Sequence, residues 1–316
     1  MSHTESDLPD GMKHNVFILN PIAGRSKNMR SIAENAGRLF GDDVDFIVTR
    51  RLDDYYDAIR RYGESGEDIR IFVCGGDGTL NSVLQVAVEY PNLSVTNYAC
   101  GTGNDFLKHF DHPSLFKDLQ NYSDIGESRF DIIRVNDRYS ANVMCFGMDA
   151  RICLTYERIR FMNFIGKYGY KLSCIYNIFK GISQTCRVEF DDGYVFDGPM
   201  TFVCVCNNGW YGGSYNPVPD ASLTDGYLDV IICKKVSLLQ MLRFLPKYKR
   251  GRQKDIPDKY MEYRRCRSLR ITSPEESPFN LDGETYMCSE AEISVDPGRM
   301  RFFYPESAYG TSKKKD

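Results

Sequence analysis

Residues 69–90 of this chain read IRIFVCGGDGTLNSVLQVAVEY, and their pattern decides the first half of the fold. An apolar run, Ile71-Phe72-Val73-Cys74, stops at Gly75-Gly76-Asp77-Gly78. Leu80, Val83, Leu84, Ala87 and Val88 then recur at i, i+3, i+4, i+7 and i+8. That is the pattern of a buried strand, a glycine turn and an amphipathic helix. Three glycines in four positions let the backbone adopt positive φ and come close to a ligand. A helix starting near Thr79 adds N–H groups and the positive end of its dipole. The loop is therefore suited to an anion, above all a phosphate. A tight strand-to-helix turn that binds nothing would have the same local sequence, so this loop alone does not decide between the two.

Working outward, Asn15-Val16-Phe17-Ile18-Leu19 is a short apolar strand ending in Asn20-Pro21-Ile22-Ala23-Gly24-Arg25-Ser26, after which Met29, Ile32, Ala33, Ala36, Leu39 and Phe40 fall at helical spacing. This is again strand, glycine-containing turn and helix, either a second phosphate-facing loop or a plain connection. Val44–Val48 predicts a further strand, Tyr55, Ala58, Ile59 and Tyr62 a further helix, and residues 94–99 a fourth strand. Alternating strands and helices imply a Rossmann-like α/β domain with a parallel sheet, and such sheets bind ligands beyond the carboxyl ends of their strands. The loops at 20–26, 75–79 and 100–106 all fall at that edge.

From about Phe130 the pattern changes to short strands separated by turn signals. Residues 131–135 and 139–145 flank Asn136-Asp137-Arg138, while 185–190 and 194–196 flank Asp191-Asp192-Gly193, and both pairs predict hairpins. Further strands are expected at 201–206, 227–233, 267–272, 291–295 and 301–304. The second half is thus an antiparallel β domain, facing the first across a cleft.

At 316 residues, two domains are the better expectation. An apolar fraction of 42%, a charged fraction of 26% and a net charge of −3 describe a soluble globular protein and do not suggest a nucleic-acid partner. The eleven cysteines include no CxxC pair, and the four histidines lie at 3, 14, 109 and 112. Neither a disulfide framework nor a zinc site is suggested, and a reducing cytosol is the simplest compartment. The opening MSHTESDLPDGMKH lacks a secretion signal's apolar stretch, and no segment nears the roughly 18 apolar residues of a membrane span, so any membrane contact is expected to be peripheral. The oligomeric state is left open, a homo-oligomer being one option.

Three motifs in order, NPIAG at 20–24, GGDGT at 75–79 with Asn81 two residues on, and GTGNDF at 101–106, resemble the diacylglycerol kinase catalytic domain shared by bacterial soluble lipid kinases, diacylglycerol kinases and sphingoid-base kinases. GGDGT alone also resembles NAD kinase; GTGNDF favours the lipid kinases. The resemblance continues through Asn207-Asn208, Tyr211-Gly212-Gly213, Pro219-Asp220-Ala221, Asp225-Gly226-Tyr227-Leu228-Asp229 and Leu281-Asp282-Gly283-Glu284. It implies two domains of NAD kinase/diacylglycerol kinase type: a nucleotide-binding α/β domain over 12–128, an antiparallel β-sandwich substrate domain over 129–299, and a chain end, 300–316, that returns to the first. Two departures are visible. Ser82 stands where the family often has Glu, and residues 155–182 match no motif.

The same resemblance implies an ATP-dependent kinase acting on a hydroxyl of diacylglycerol or a related lipid. The alternatives are an NAD kinase-like small-molecule kinase and a non-catalytic nucleotide- or lipid-binding regulator. Asn20, Pro21, Ile22, Ala23, Gly24, Thr49, Gly75, Gly76, Asp77, Gly78, Thr79, Leu80, Asn81 and Thr102 would contact ATP, without a P-loop lysine, since no GxxxxGK[ST] occurs. Asp77, Asp105 and Asp131 would form a network around ATP-bound Mg²⁺, an ion that prefers oxygen ligands and retained waters. Asp225, with Ser222 and Tyr227, would be the site of a structural Mg²⁺. Each of these aspartates could equally form a turn or cap a helix. Asp282 and Glu284, one residue apart on a glycine turn, are the candidate catalytic bases. Finally, residues 156–181 and 234–254 mix apolar side chains with basic ones and could hold the protein at a membrane surface carrying its lipid substrate, as basic residues beside anionic lipid contribute roughly 1 kcal/mol each.

Overall fold

The computed structural model of the protein describes residues 14–19, 27–41, 43–48, 52–101, 103–159 and 169–309. The first half follows the predicted alternation: β1 (His14–Leu19), α1 (Lys27–Phe40), β2 (Val44–Val48), α2 (Leu52–Ser65), β3 (Ile69–Gly75), α3 (Asp77–Ala87) and β4 (Leu93–Ala99). These strands lie side by side in the order β2-β1-β3-β4, and each neighbouring pair is parallel. Residues 16–19 of β1 and 71–74 of β3 are continuous apolar runs buried on both faces, as in a parallel sheet covered on both sides. Phe17 and Phe72 stack with their rings 4.4 Å apart, and Phe303 from the far end of the chain meets Phe72 edge-on at 4.9 Å. Each such fully buried ring contributes about 1.5–3 kcal/mol.

The second half contains β5 (Ile125–Val135), β6 (Arg138–Ser140), β7 (Val143–Gly147), α4 (Met148–Ile159), α5 (Gly169–Lys180), β8 (Gln184–Phe190), β9 (Val195–Cys206), β10 (Leu228–Lys234), α6 (Leu238–Tyr248), β11 (Met261–Cys266), β12 (Ser268–Leu281) and β13 (Glu284–Pro305). Its strands pair antiparallel, and both predicted hairpins, β5–β6 and β8–β9, are present. Along β9 the side chains alternate between two cores. Val203 and Val205 join one with Met144, Val230 and Ile271, and Phe202, Cys204 and Cys206 join the other with Cys145, Ile231 and Phe244.

The two halves share one sheet. β13 is 22 residues long: it pairs antiparallel with β12 and β5 and ends parallel to β4 through Phe302 and Val95. The expected strands at 291–295 and 301–304 are therefore one strand, with a register shift between Asp296 and Met300. Likewise 194–196 and 201–206 merge into β9, because Pro199 stays in the ladder and its carbonyl accepts Lys235 N at 3.0 Å. Conversely, the expected strand 139–145 is broken between β6 and β7, for a reason that lies in the site. Among the described residues no helix is long and apolar enough to cross a membrane.

Candidate active site

The site starts where β3 and β4 end. Gly76, in extended conformation, caps α3 without a side-chain bond, and the second glycine loop lies against it. Gly101 N donates to Gly75 O and Asp77 N to Gly103 O, both at 3.0 Å. The Asp77 carboxylate then accepts the N–H groups of Asp105 and Phe106 at 2.8 and 3.2 Å. The two loops are thus one interlocked unit at the helix N-terminus. Burial pushes the Asp77 carboxyl up to about 6, even though the two N–H donors pull it down. Asp105 is held by Lys108 Nζ at 2.6 Å and by Gly213 N at 2.7 Å. The predicted contacts at Asn20, Pro21, Ile22, Ala23, Gly24, Thr49 and Thr102 lie outside the described residues.

Opposite this unit, β12 and β13 are joined by a two-residue turn in which Asp282 and Gly283 both have positive φ, 49° and 101°. Asp-Gly is the pair such a hairpin favours. The turn brings Asp282 inward, where its carboxylate accepts Ala141 N at 2.6 Å, Asn142 N at 3.1 Å and Val143 N at 3.0 Å. Ala141 and Asn142 lie between β6 and β7, and Val143 opens β7. Their N–H groups turn to the carboxylate instead of a neighbouring strand, which is why the ladder breaks there. Asp282 also accepts Asn81 Nδ2 from α3 at 3.3 Å.

Asn81 and Gln85, one turn apart on α3, both donate to Tyr139 O, at 3.1 and 2.8 Å, and Gln85 Oε1 accepts Tyr139 N at 3.0 Å. The helix that follows the glycine loop is thereby bolted to the second half. Asn81, expected to touch nucleotide, is placed in this junction. Glu284 lies over the first turn of α3: a Cβ on Gly78 would sit 3.7 Å from Glu284 Oε1. Asn208 completes the junction, donating to Asn142 Oδ1 at 3.0 Å and to Phe106 O at 3.3 Å.

Two of the three aspartates expected around ATP-bound Mg²⁺ line one cavity, and Asp225, expected at a separate structural site, lies apart from it. Asp77 and Asp105 line the same cavity. Asp131 does not: its carboxylate accepts Gly226 N at 2.7 Å and Gly298 N at 2.8 Å, fixing two turns. Asp225 accepts Tyr227 N at 3.0 Å, the bond of an Asx turn, and is ion-paired with Arg265. Among the described residues no group of three His, Cys, Asp or Glu side chains could hold an ion by itself. Of the three aspartates expected around one Mg²⁺ ion, Asp77 and Asp105 therefore share a cavity, and the Asp131 carboxylate is engaged by Gly226 and Gly298.

Beyond the loops the cavity runs about 530 Å³ into the second half, between α4 and α6, and most of its wall is apolar, including Cys145, Phe202, Met241, Phe244 and Leu245. The sequence reading passed over its polar feature, Asp149. Tyr211 donates to the Asp149 carboxylate at 3.3 Å, and Tyr211 and Tyr248 hydroxyls are 2.8 Å apart. Burial pushes the Asp149 carboxyl up to about 7, against the pull of the Tyr211 hydrogen bond. An acidic residue closing the apolar run Val143-Met144-Cys145-Phe146-Gly147-Met148 was the available signal.

An unfolded aspartate releases its proton near pH 4, whereas folded Asp149 keeps it to about 7. The folded state therefore binds the extra proton in that interval. The resulting stabilisation is fully present below about pH 4 and is lost as pH rises to about 7. Relative to Asp149→Asn, wild-type urea midpoints are expected to fall across this window and then run parallel; a difference constant with pH would refute the assignment.

Two family models match the chain: the diacylglycerol kinase catalytic domain over residues 14–135 and the YegS C-terminal NAD kinase beta sandwich-like domain over residues 142–304. A protein named diacylglycerol kinase from Staphylococcus carnosus is 27% identical over 273 residues, covering 85% of this chain and 87% of its own. One named "Probable lipid kinase YegS-like" from Shewanella frigidimarina is 26% identical over 241 residues, covering 75% and 76%. A crystal structure described as that of a diacylglycerol kinase from Bacillus anthracis shares the fold, with a TM-score of 0.73 at 21% identity over 95% of this chain and 98% of that one. The protein therefore belongs to the family in which a diacylglycerol kinase catalytic domain is followed by a YegS C-terminal NAD kinase beta sandwich-like domain.

Proposed function

We propose that this chain is a lipid kinase that transfers the γ-phosphoryl group of ATP to a hydroxyl of diacylglycerol or a related lipid. The observation that carries this reading is one cavity with Asp77, Gly103 and Asp105 at one end, the Asp282-Gly283 turn beside them and an apolar interior beyond. The four parallel strands and their helices are read as a Rossmann-like nucleotide half, and the antiparallel half as the acceptor side.

Phosphoryl transfer needs neutralised phosphate charge, an aligned acceptor and somewhere for the acceptor's proton to go. In this reading the backbone N–H groups and dipole at the start of α3 meet the phosphates. Asp77 and Asp105 fit a Mg²⁺ ion: each carboxylate accepts two hydrogen bonds and has further lone pairs. Mg²⁺ is commonly held by one or two carboxylates plus substrate phosphates. When bound, it would neutralise negative charge on the nucleotide. Glu284 orients the acceptor hydroxyl and takes its proton, and because that hydroxyl is a far weaker acid than a carboxyl, the proton moves late. Asp282 fixes the turn that carries Glu284. The apolar interior receives the lipid's chains, with Asp149 and Tyr211 as its polar contact. Such an enzyme would be a soluble cytoplasmic protein meeting its acceptor at a membrane surface.

Radiolabelled γ-phosphate supplied as ATP, with Mg²⁺ and a panel of diacylglycerol, a long-chain base, glycerol and NAD, tests this directly. Label is expected in a lipid that carries a free hydroxyl and not in NAD. Label in NAD alone would establish the small-molecule kinase instead, and no transfer to any acceptor would favour a binding protein.

A further inference from the structure

α6 is apolar on the side that faces water. Phe244 and Tyr248 are buried against the second core, with Met241 packed beside them. Leu238, Leu239, Leu242 and Leu245, at i, i+1, i+4 and i+7, form the adjoining, outward stripe and are 39%, 79%, 54% and 37% exposed. An outward stripe of four leucines on an 11-residue helix is an interaction surface, since single exposed apolar residues are ordinary but contiguous ones are not.

Two observations identify what covers it. The first is charge. Between Lys235 and Lys259 there are eight basic and two acidic residues, a net charge of +6 in a chain whose net charge is −3. Arg243 and Arg250 are exposed, while Arg252 is paired with Asp255 and Lys249 lies over the Tyr215 ring. The second is continuity with the cavity. Leu245 belongs both to the exposed stripe and to the cavity wall, so the surface leads into the apolar interior without a polar break. On the other side of the cavity α4 contributes Cys153 and Tyr156, and α5, packed on α4, exposes Ile175 and Phe179.

We propose that the outer face of α6 docks onto an anionic lipid bilayer and that a lipid passes from it into the cavity beside Leu245. The proposal rests on the kinase reading for the second step but not for the first. Leucines enter the boundary between headgroups and acyl chains, and the flanking basic groups meet anionic headgroups; an amphipathic helix lying in the interface works this way.

Co-sedimentation with vesicles of phosphatidylcholine, with and without phosphatidylglycerol and without nucleotide, tests the docking. Wild type is expected to bind the anionic vesicles, less at high salt. Leu239→Gln combined with Leu242→Gln should bind roughly tenfold more weakly or worse. Arg243→Gln with Arg250→Gln should lose only the preference for anionic vesicles. Both leucines are exposed and neither lines the cavity, so turnover of a water-soluble short-chain diacylglycerol should be unchanged. Unaltered vesicle binding by the leucine variant would overturn the proposal. So would a wild-type dimer that binds no vesicles and that the same variant dissociates, since the occupant would then be a second copy. Failure of wild type to phosphorylate the short-chain acceptor would count against the kinase reading alone.

Discussion

Glu284→Gln is expected to lower turnover by about 10²- to 10⁴-fold, the usual contribution of a positioned acid or base, while leaving the urea midpoint close to wild type. Asp282→Asn should instead destabilise the fold by about 3–5 kcal/mol and lose activity through displacement of the turn. The two carboxylates are neighbours in sequence but differ in what surrounds them. Asp282 accepts three consecutive backbone N–H groups and the Asn81 amide, so replacing an oxygen by NH₂ sets a donor against donors in a buried place. Asparagine tolerates positive φ, and the turn's backbone at 49° is not what the substitution strains. Burial pushes the Asp282 carboxyl up while the backbone donors draw it down, and its oxygens are occupied in either case. Glu284 lies over Gly78 at the first turn of α3, where the proposed reading puts the acceptor group. Equilibrium unfolding of both variants, with turnover measured where each is folded, separates the roles. An Asp282→Asn protein as stable as wild type but inactive would make Asp282 the base.

What could be read from the sequence was local. Apolar runs ending in glycine gave β3, the loop and α3, because strand period, turn chemistry and helix period are all encoded within about 20 residues. The glycine turn at Asp282-Gly283 was legible for the same reason, although the long strand that follows it, β13 from Glu284, was not. What could not be read depends on side chains finding partners far along the chain. Asn81 and Tyr139 are 58 positions apart, and Asn81 and Asp282 are 201. The break between β6 and β7 is caused by a carboxylate about 140 residues later, so no property of residues 139–145 announces it. Asp131 shows the same dependence: it follows the loops in sequence, but the partners of its carboxylate, the amides of Gly226 and Gly298, lie 95 and 167 positions further on. Asp149 was hidden because one acidic residue after an apolar strand looks like the start of an ordinary helix, and only the assembled cavity makes it unusual.

Gly101→Ala should cost nucleotide affinity about 10²-fold, since displacement of positioning groups by about 1 Å has effects of that size. A Cβ on Gly101 would lie 2.6 Å from both Cα and N of Gly76 and 2.9 Å from the carbonyl carbon of Gly75. All three are backbone atoms, so no rotamer change can make room and the two loops must separate. The Gly101 N to Gly75 O bond and the Asp77 N to Gly103 O bond, which hold the loops together, are then stretched in the same movement. Overpacking of this kind costs about 1–3 kcal/mol, so the variant should still fold and its loss of binding can be measured by calorimetry with ATP. Gly76→Ala meets Gly103 O at 2.5 Å and should behave alike. Gly37 supplies the control: it is exposed on α1, a Cβ there would meet nothing within 4 Å, and Gly37→Ala should raise stability by about 0.5–1 kcal/mol without touching nucleotide affinity. If Gly101→Ala binds ATP as wild type does, the interlocked loops are a structural clasp and the phosphates are held elsewhere.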